Sequence, residues 1–227
     1  MSLLGHLDEL RRRLLISLAA WGIGCAAVWP RAPRLLDRLL EPLGAPAVYL
    51  GPAEGFMVVF KLDLVAGAVL ASPVIAWQAA AFLLPALKAH EKRLIALVAG
   101  FGVGAFALGM WFALRFLVPA MMAFFMGFAT EHLKPQITAD RYFGFLLWIG
   151  LGCGAACEFP IVAAGLARAG ILRAGTLLRH WRVSIMACLV VAALVTPSPD
   201  AASMLMLAVP LMGVWVAGVA GAALFGK

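Results

Sequence analysis

Six apolar segments, at roughly residues 14–29, 57–84, 94–118, 142–167, 183–195 and 201–225, divide this chain and dictate what it can fold into. A bilayer core near 30 Å takes about 20 helical residues, so the second, third, fourth and sixth segments are each long enough to cross one. The first is completed by Arg12 and Arg13 snorkelling at its start. The fifth has thirteen uncharged residues between Arg182 and Thr196. It reaches only about 20 Å at 1.5 Å per residue. Locally thinned lipid, or the stems of Arg179 and Arg182, must make up the difference.

Composition agrees. Hydrophobic residues make up 64% of the 227 and charged residues 13%, with a mean hydropathy of +1.00. A soluble core of this size could not bury so much apolar surface, so the expectation is an all-α integral membrane protein. The net charge of +7 does not point to nucleic acid, because the basic residues are scattered between apolar runs rather than massed on one segment. They report topology instead. With the N-terminus inside, the inner set is Arg11, Arg12, Arg13, Lys88, Lys92, Arg93, Arg168, Arg173, Arg179, Arg182 and Lys227. The outer set is Arg31, Arg34, Arg38, Arg115, Lys134 and Arg141, and Lys61 falls inside the second segment. That imbalance predicts six spans with both termini cytoplasmic.

The chain reads as one polytopic domain over 1–227. Its outer face would carry two long connections, 30–56 and 119–141, and one tight turn, Thr196-Pro197-Ser198-Pro199-Asp200. Within the first connection, 34–43 has the pattern of a short amphipathic helix. No cleavable leader is evident, because Arg11 to Arg13 precede an apolar run without a small-residue cleavage site.

Glu158 lies inside the fourth segment. A charged group at the bilayer centre costs roughly 2.5 to 3.5 kcal/mol of insertion, so a carboxylate kept there either has a use or is satisfied by a neighbouring helix. Cys25, Cys153, Cys157 and Cys188 all fall in apolar runs without metal-ligand spacing and read as small hydrophobes. Gly100 with Gly104, and Gly150 with Gly154, are small-xxx-small pairs that allow close helix approach. There is no phosphate loop, no HExxH and no evident triad spacing, so neither an enzyme, a cofactor nor a metal is expected.

On the inner face, Leu3, Leu4, Leu7, Leu10 and Leu14 recur at helical spacing and leave Glu9 on a more polar side. In the first inner loop, Glu91 stands among Lys88, His90, Lys92 and Arg93. Taken alone, Glu9 pairs with Arg13 and Glu91 with a nearby Lys, each exposed pair contributing at most about 1 kcal/mol.

The order of motifs carries more. His6-Leu7-Asp8-Glu9-Leu10-Arg11-Arg12-Arg13 is followed by Pro52-x-Glu54-Gly55-Phe56 with Lys61, and then by Ser72-Pro73-Val74-Ile75. Next come Phe82-Leu83-Leu84-Pro85-Ala86-Leu87-x-x-His90-Glu91-x-Arg93, and Glu158-Phe159-Pro160. Last come Thr196-Pro197-x-Pro199-Asp200-x-x-Ser203 and Ala208-x-Pro210. In this order, over nearly the whole chain, the motifs resemble TatC, the multi-spanning receptor subunit of the twin-arginine protein translocase.

That resemblance implies a curved, concave, glove-like bundle with short fifth and sixth spans, in the cytoplasmic (inner) membrane of a bacterium. It implies a core receptor that binds twin-arginine signal peptides of folded cargo and recruits single-span TatA- and TatB-type partners for proton-gradient-driven export. Membrane lipids and further copies of the chain would be its other partners. Glu9 and Glu91 fall on the positions whose carboxylates meet the paired arginines, with Arg11, Phe82, His90 and Arg93 around them. A guanidinium can make bidentate, charge-assisted bonds to a carboxylate where Lys offers a point charge. Glu158 would meet a partner helix in the membrane. Thr196, Pro197, Asp200 and Ser203 match an outer turn near a partner surface, and Pro73, Pro160 and Pro210 kink their spans. The chain departs from many relatives at Met204 and at Val214-Trp215-Val216. The alternative is a small proton-coupled secondary transporter using Glu158, although no inverted repeat is evident.

Overall fold

The computed structural model describes residues 3–44, 46–83, 89–130, 132, 135–168, 170, 172–196 and 200–225, with side chains described except at 3–6, 83, 89–99 and 225. All regular elements among them are helical. They are α1 (Leu3–Val28), α2 (Ala32–Leu40), α3 (Glu54–Leu83), α4 (Ala89–Phe112), α5 (Val118–Met126), α6 (Ala139–Cys157), α7 (Phe159–Arg168), α8 (Ala174–Arg179), α9 (Trp181–Val195) and α10 (Ala201–Phe225). Short 3-10 turns, Trp29–Arg31 and Glu41–Leu43, flank α2.

Among the described residues, five stretches are able to cross a membrane by length and composition: Leu7–Leu43, Glu54–Phe82, Gly100–Met126, Ala139–Arg168 and Ala201–Leu224. The sixth apolar helix, α9, has 15 residues, about 22 Å at 1.5 Å per residue. The expected shortening of the last span is not met. α10 runs 25 residues without interruption, about 37 Å, through Pro210 and three glycines, Gly213, Gly218 and Gly221.

Prolines shape the long helices, each in a way its neighbours explain. A proline within a helix has no N–H for the carbonyl four residues back. For Pro73 that carbonyl belongs to Val69, and the hydroxyl of Ser72 donates to it at 2.7 Å, so α3 continues through. For Pro119 the stranded carbonyl is that of Arg115. Here the helix widens into a π turn over Ala113–Leu117 before α5 resumes. Helix therefore persists to Met126, well into the segment expected as a connection from residue 119.

The chain forms two compact units, Met1–Leu36 with Val59–Gly104, and Asp37–Val58 with Ala105–Lys227. In the first, α1 and α3 run antiparallel, since rising positions on α1 meet falling positions on α3. Arg13 bonds Gln78, and the Trp21 indole donates to the Leu64 carbonyl at 2.8 Å. Their backbones touch where two glycines face. A Cβ on Gly24 would lie 2.5 Å from the Gly67 carbonyl oxygen, and one on Gly67 would lie 2.7 Å from the Cys25 nitrogen. No other residue type fits that crossing. The Gly100 and Gly104 pair, by contrast, meets nothing within 4 Å.

In the second unit, α7 and α9 pack on α10, and Tyr142, Phe143, Met121, Ile149 and Leu207 are fully enclosed. Gly154 takes the ring of Phe106 against its backbone, 2.8 Å from where a Cβ would stand. Thr138 caps α6, its hydroxyl accepting from the Arg141 amide. The two connections read as outer are tied together. The Val48 amide donates to Ile137 at 3.2 Å, and Ala139 donates back to the Val48 carbonyl at 2.8 Å.

Candidate functional site

Polar side chains concentrate at three places. The first is at the start of α1 in the first unit. Glu9 and Arg13 are one helical turn apart, which brings their side chains together. Arg13 donates to one Glu9 oxygen, Oε1, from Nη2 at 2.6 Å and from Nε at 3.1 Å, while its Nη1 donates to Gln78 Oε1 on α3 at 3.3 Å. Only about a quarter of each side chain of the pair is exposed, 24% for Arg13 and 23% for Glu9.

A cavity of about 560 Å³ opens over this group, lined by Asp8, Glu9, Arg12, Arg13, Ile16, Trp77 and Gln78. It holds two carboxylates, an amide and an exposed indole beside two guanidinium groups, so it can bind either a cationic or a hydrogen-bonding guest. Arg11 is exposed outside it, and Phe82 is half-buried near the end of α3. His90, Glu91 and Arg93 belong to the first turns of α4, where side chains lie outside the described residues. Sequence reading did not single out Trp77 or Gln78. Their signal was present: Gln78 is the one amide between Asp63 and Lys88.

The second place is Glu158, between α6 and α7. Pro160 cannot donate to the Ala156 carbonyl, and the helix breaks there. The Glu158 amide bonds Ala155 only three residues back, at 3.2 Å, and its carbonyl starts α7 by accepting from Ile161 and Val162. The break projects Glu158, half-buried and with no side-chain hydrogen bond or ion pair among the described residues. A carboxyl in this state is one a hydrogen-bonding neighbour can engage.

The third is the turn before α10. Asp200 caps α10, with Oδ1 accepting from the Ser203 amide at 2.7 Å and Oδ2 from the Ser203 hydroxyl at 2.5 Å. Thr196 closes α9 with its hydroxyl on the Ala192 carbonyl at 2.7 Å. Thr196 and Ser203, expected in an outer turn near a partner surface, are buried, and their hydroxyls bond within the end of α9 and the start of α10. Pro197 lies outside the described residues. Elsewhere, Asp63 on α3 is 4% exposed and its Oδ1 has no hydrogen-bond partner among the described residues. Among the described residues no group of His, Cys, Asp and Glu could hold a metal ion, and the four cysteines are free.

Known proteins are similar to this chain in sequence and fold over nearly its whole length. A TatC protein of Synechocystis is 34% identical over all of this chain and 90% of its own length. That of Helicobacter pylori J99 is 32% identical over 92% of this chain and 84% of its own. The chloroplast protein of Pisum sativum is also 32% identical, with 63% of its length matched. Two crystal structures described as the twin-arginine translocase receptor TatC superpose with TM-scores of 0.79 and 0.81 at 30% identity. They cover 96% and 98% of this chain, and 97% and 99% of theirs. The family model described as Sec-independent protein translocase protein (TatC) matches residues 5–210, and this chain belongs to that family.

Proposed function

We propose that this protein is the signal-peptide receptor of a twin-arginine translocase. One observation carries the reading: Glu9 already holds a guanidinium. Arg13 occupies it with a short charge-assisted contact and a second bond to the same oxygen. The carboxylate is therefore placed and shaped for the group that a twin-arginine peptide would bring. Arg13 can be released toward Gln78, its second partner, while an incoming arginine takes Glu9 and its neighbour takes Glu91. Arg11, His90 and Arg93 set the surrounding field, and Phe82 meets the apolar part of the peptide.

In this reading six helices span the cytoplasmic membrane with both termini inside, as the distribution of Lys and Arg favours. The 15 residues of α9 then favour a locally thinned bilayer. Glu158 hydrogen-bonds a single-span TatA- or TatB-type helix at the Pro160 break, a contact worth about 0.6 to 2 kcal/mol in lipid. Asp200 fixes the first turn of α10 through Ser203, and a partner docks beside it. Export draws on the proton gradient through those partners.

The test is binding of a twin-arginine peptide to membranes holding the protein. Glu9→Ala, Glu91→Ala and a Lys-Lys peptide are each expected to abolish wild-type binding. Equal binding in every case overturns the receptor.

A further inference from the structure

The cavity over Glu9 is bordered by an aromatic ring that a carboxylate-to-arginine contact leaves unused. That ring is Trp77, which lines the cavity together with Asp8, Glu9, Arg12, Arg13 and Gln78. Trp77 is 57% exposed. Among the described residues no cation and no other ring lies over its indole, although two guanidinium groups share the cavity. Its neighbour ties it to the site. Gln78, the next residue on α3, accepts from Arg13 Nη1 at 3.3 Å, so this turn of α3 is held against the Glu9 group on α1. Tryptophan at a membrane interface commonly meets lipid headgroups. This one borders four charged side chains in a cavity of about 560 Å³, a volume within the range of sites that take small organic groups.

We propose that Trp77 is the platform on which a guanidinium of a twin-arginine peptide stacks while Glu9 takes its edge. The inference rests on the receptor reading above and names what makes that receptor read arginine. A guanidinium is planar, and its N–H bonds lie in the plane. It can donate two bonds to a carboxylate and still lay a face on an aromatic ring. An ammonium has no flat face. Its three donors point in different directions, so turning toward the ring takes donors away from the carboxylate. Glu9 alone attracts either cation by charge, whereas Glu9 with Trp77 favours the flat one. Arg13 shows the first half of the arrangement, with Nη2 and Nε both on Glu9 Oε1. Its release toward Gln78 opens the carboxylate and the ring to the peptide together.

The test uses the whole protein in lipid nanodiscs, with its seven tryptophans replaced by 5-fluorotryptophan and the Trp77 fluorine resonance assigned by its loss in Trp77→Phe. Adding a twin-arginine peptide is expected to shift that resonance. In unlabelled protein, Trp77→Leu is expected to weaken binding of the peptide by about 2- to 30-fold, the range of a cation over an aromatic ring. Trp77→Tyr keeps an aromatic face and is expected to fall between the two. The advantage of the twin-arginine peptide over one carrying lysine at a single position of the pair shrinks in Trp77→Leu and returns in Trp77→Tyr. General loosening of α3 would weaken both peptides alike, and that result overturns the platform. So does wild-type affinity in Trp77→Leu, or a resonance unmoved at saturating peptide. If Glu9→Ala still abolishes binding in those cases, the receptor stands without the platform. Unchanged binding in Glu9→Ala removes the receptor and the platform with it.

Discussion

Arg13 and Glu9 meet through a single carboxylate oxygen, Oε1, which accepts from Nη2 at 2.6 Å and from Nε at 3.1 Å. The other oxygen of Glu9 has no bond to Arg13. If a peptide arginine is to use Glu9 it must compete with this internal guanidinium, and the cost is that of a partly exposed pair, about 0.2 to 1 kcal/mol. Arg13→Gln is therefore expected to tighten binding of a twin-arginine peptide by about 1.5- to 5-fold. Peptide titration against membranes holding each form reads the change. Weaker binding in the variant would make Arg13 part of the support for Glu9 rather than its competitor.

Glu158 stands at a break that Pro160 causes, so its position and its chemistry can be separated. Glu158→Gln keeps a donor and an acceptor and is expected to retain association with a single-span partner. Glu158→Ala is expected to weaken it by about 3- to 30-fold, the equivalent of 0.6 to 2 kcal/mol. Pro160→Ala lets the helix close through residue 158 and should weaken the contact without touching the carboxyl. Site-specific cross-linking to the partner measures all three. Unchanged cross-linking in Glu158→Ala would remove the carboxyl from the contact.

Much of this architecture is legible in the sequence, for identifiable reasons. The α10 run and the short α9 follow from hydropathy and the charges that bound them, and the break at Glu158 follows from a proline two residues on. What was not legible depends on which face of a helix meets which neighbour. Gly100 with Gly104 and Gly24 with Gly67 look alike as small residues, yet only the second pair lies where two backbones touch. Gln78 reaches Arg13 from 65 positions away, a match that helix phase decides and spacing along the chain does not. The hydroxyls of Thr196 and Ser203 look available to a partner in the sequence, yet the end of α9 and the start of α10 bond them internally. Helix also persists past residue 119, into the stretch read as a connection, because a π turn absorbs Pro119.

Asp63 gives a prediction about stability. It is 4% exposed, within electrostatic reach of Cys25 on α1, and its Oδ1 lacks a hydrogen bond. A buried polar atom left unpaired costs about 1 to 3 kcal/mol. Asp63→Leu, branched like the carboxylate but apolar, is expected to raise the thermal midpoint in detergent. A lower midpoint would show that the carboxylate is compensated.

The crossing of α1 and α3 makes the sharpest structural prediction. A methyl on Gly24 would stand 2.5 Å from the Gly67 carbonyl oxygen, and one on Gly67 2.7 Å from the Cys25 nitrogen. Neither obstacle is the end of a flexible side chain, so the helices must separate to admit it. Overpacking of this kind costs about 1 to 3 kcal/mol. The same separation would pull Trp21 from the Leu64 carbonyl and Arg13 from Gln78. Gly67→Ala and Gly24→Ala are thus expected to lower thermal stability and also to disturb the Glu9 cavity, weakening peptide binding from a distance. Gly22→Ala is the control, since a methyl there meets nothing within 4 Å. It is expected to leave both properties unchanged or to add slight stability from helix propensity. If Gly67→Ala matched the Gly22→Ala control in melting temperature and in peptide binding, the two helices would not depend on this contact for their spacing.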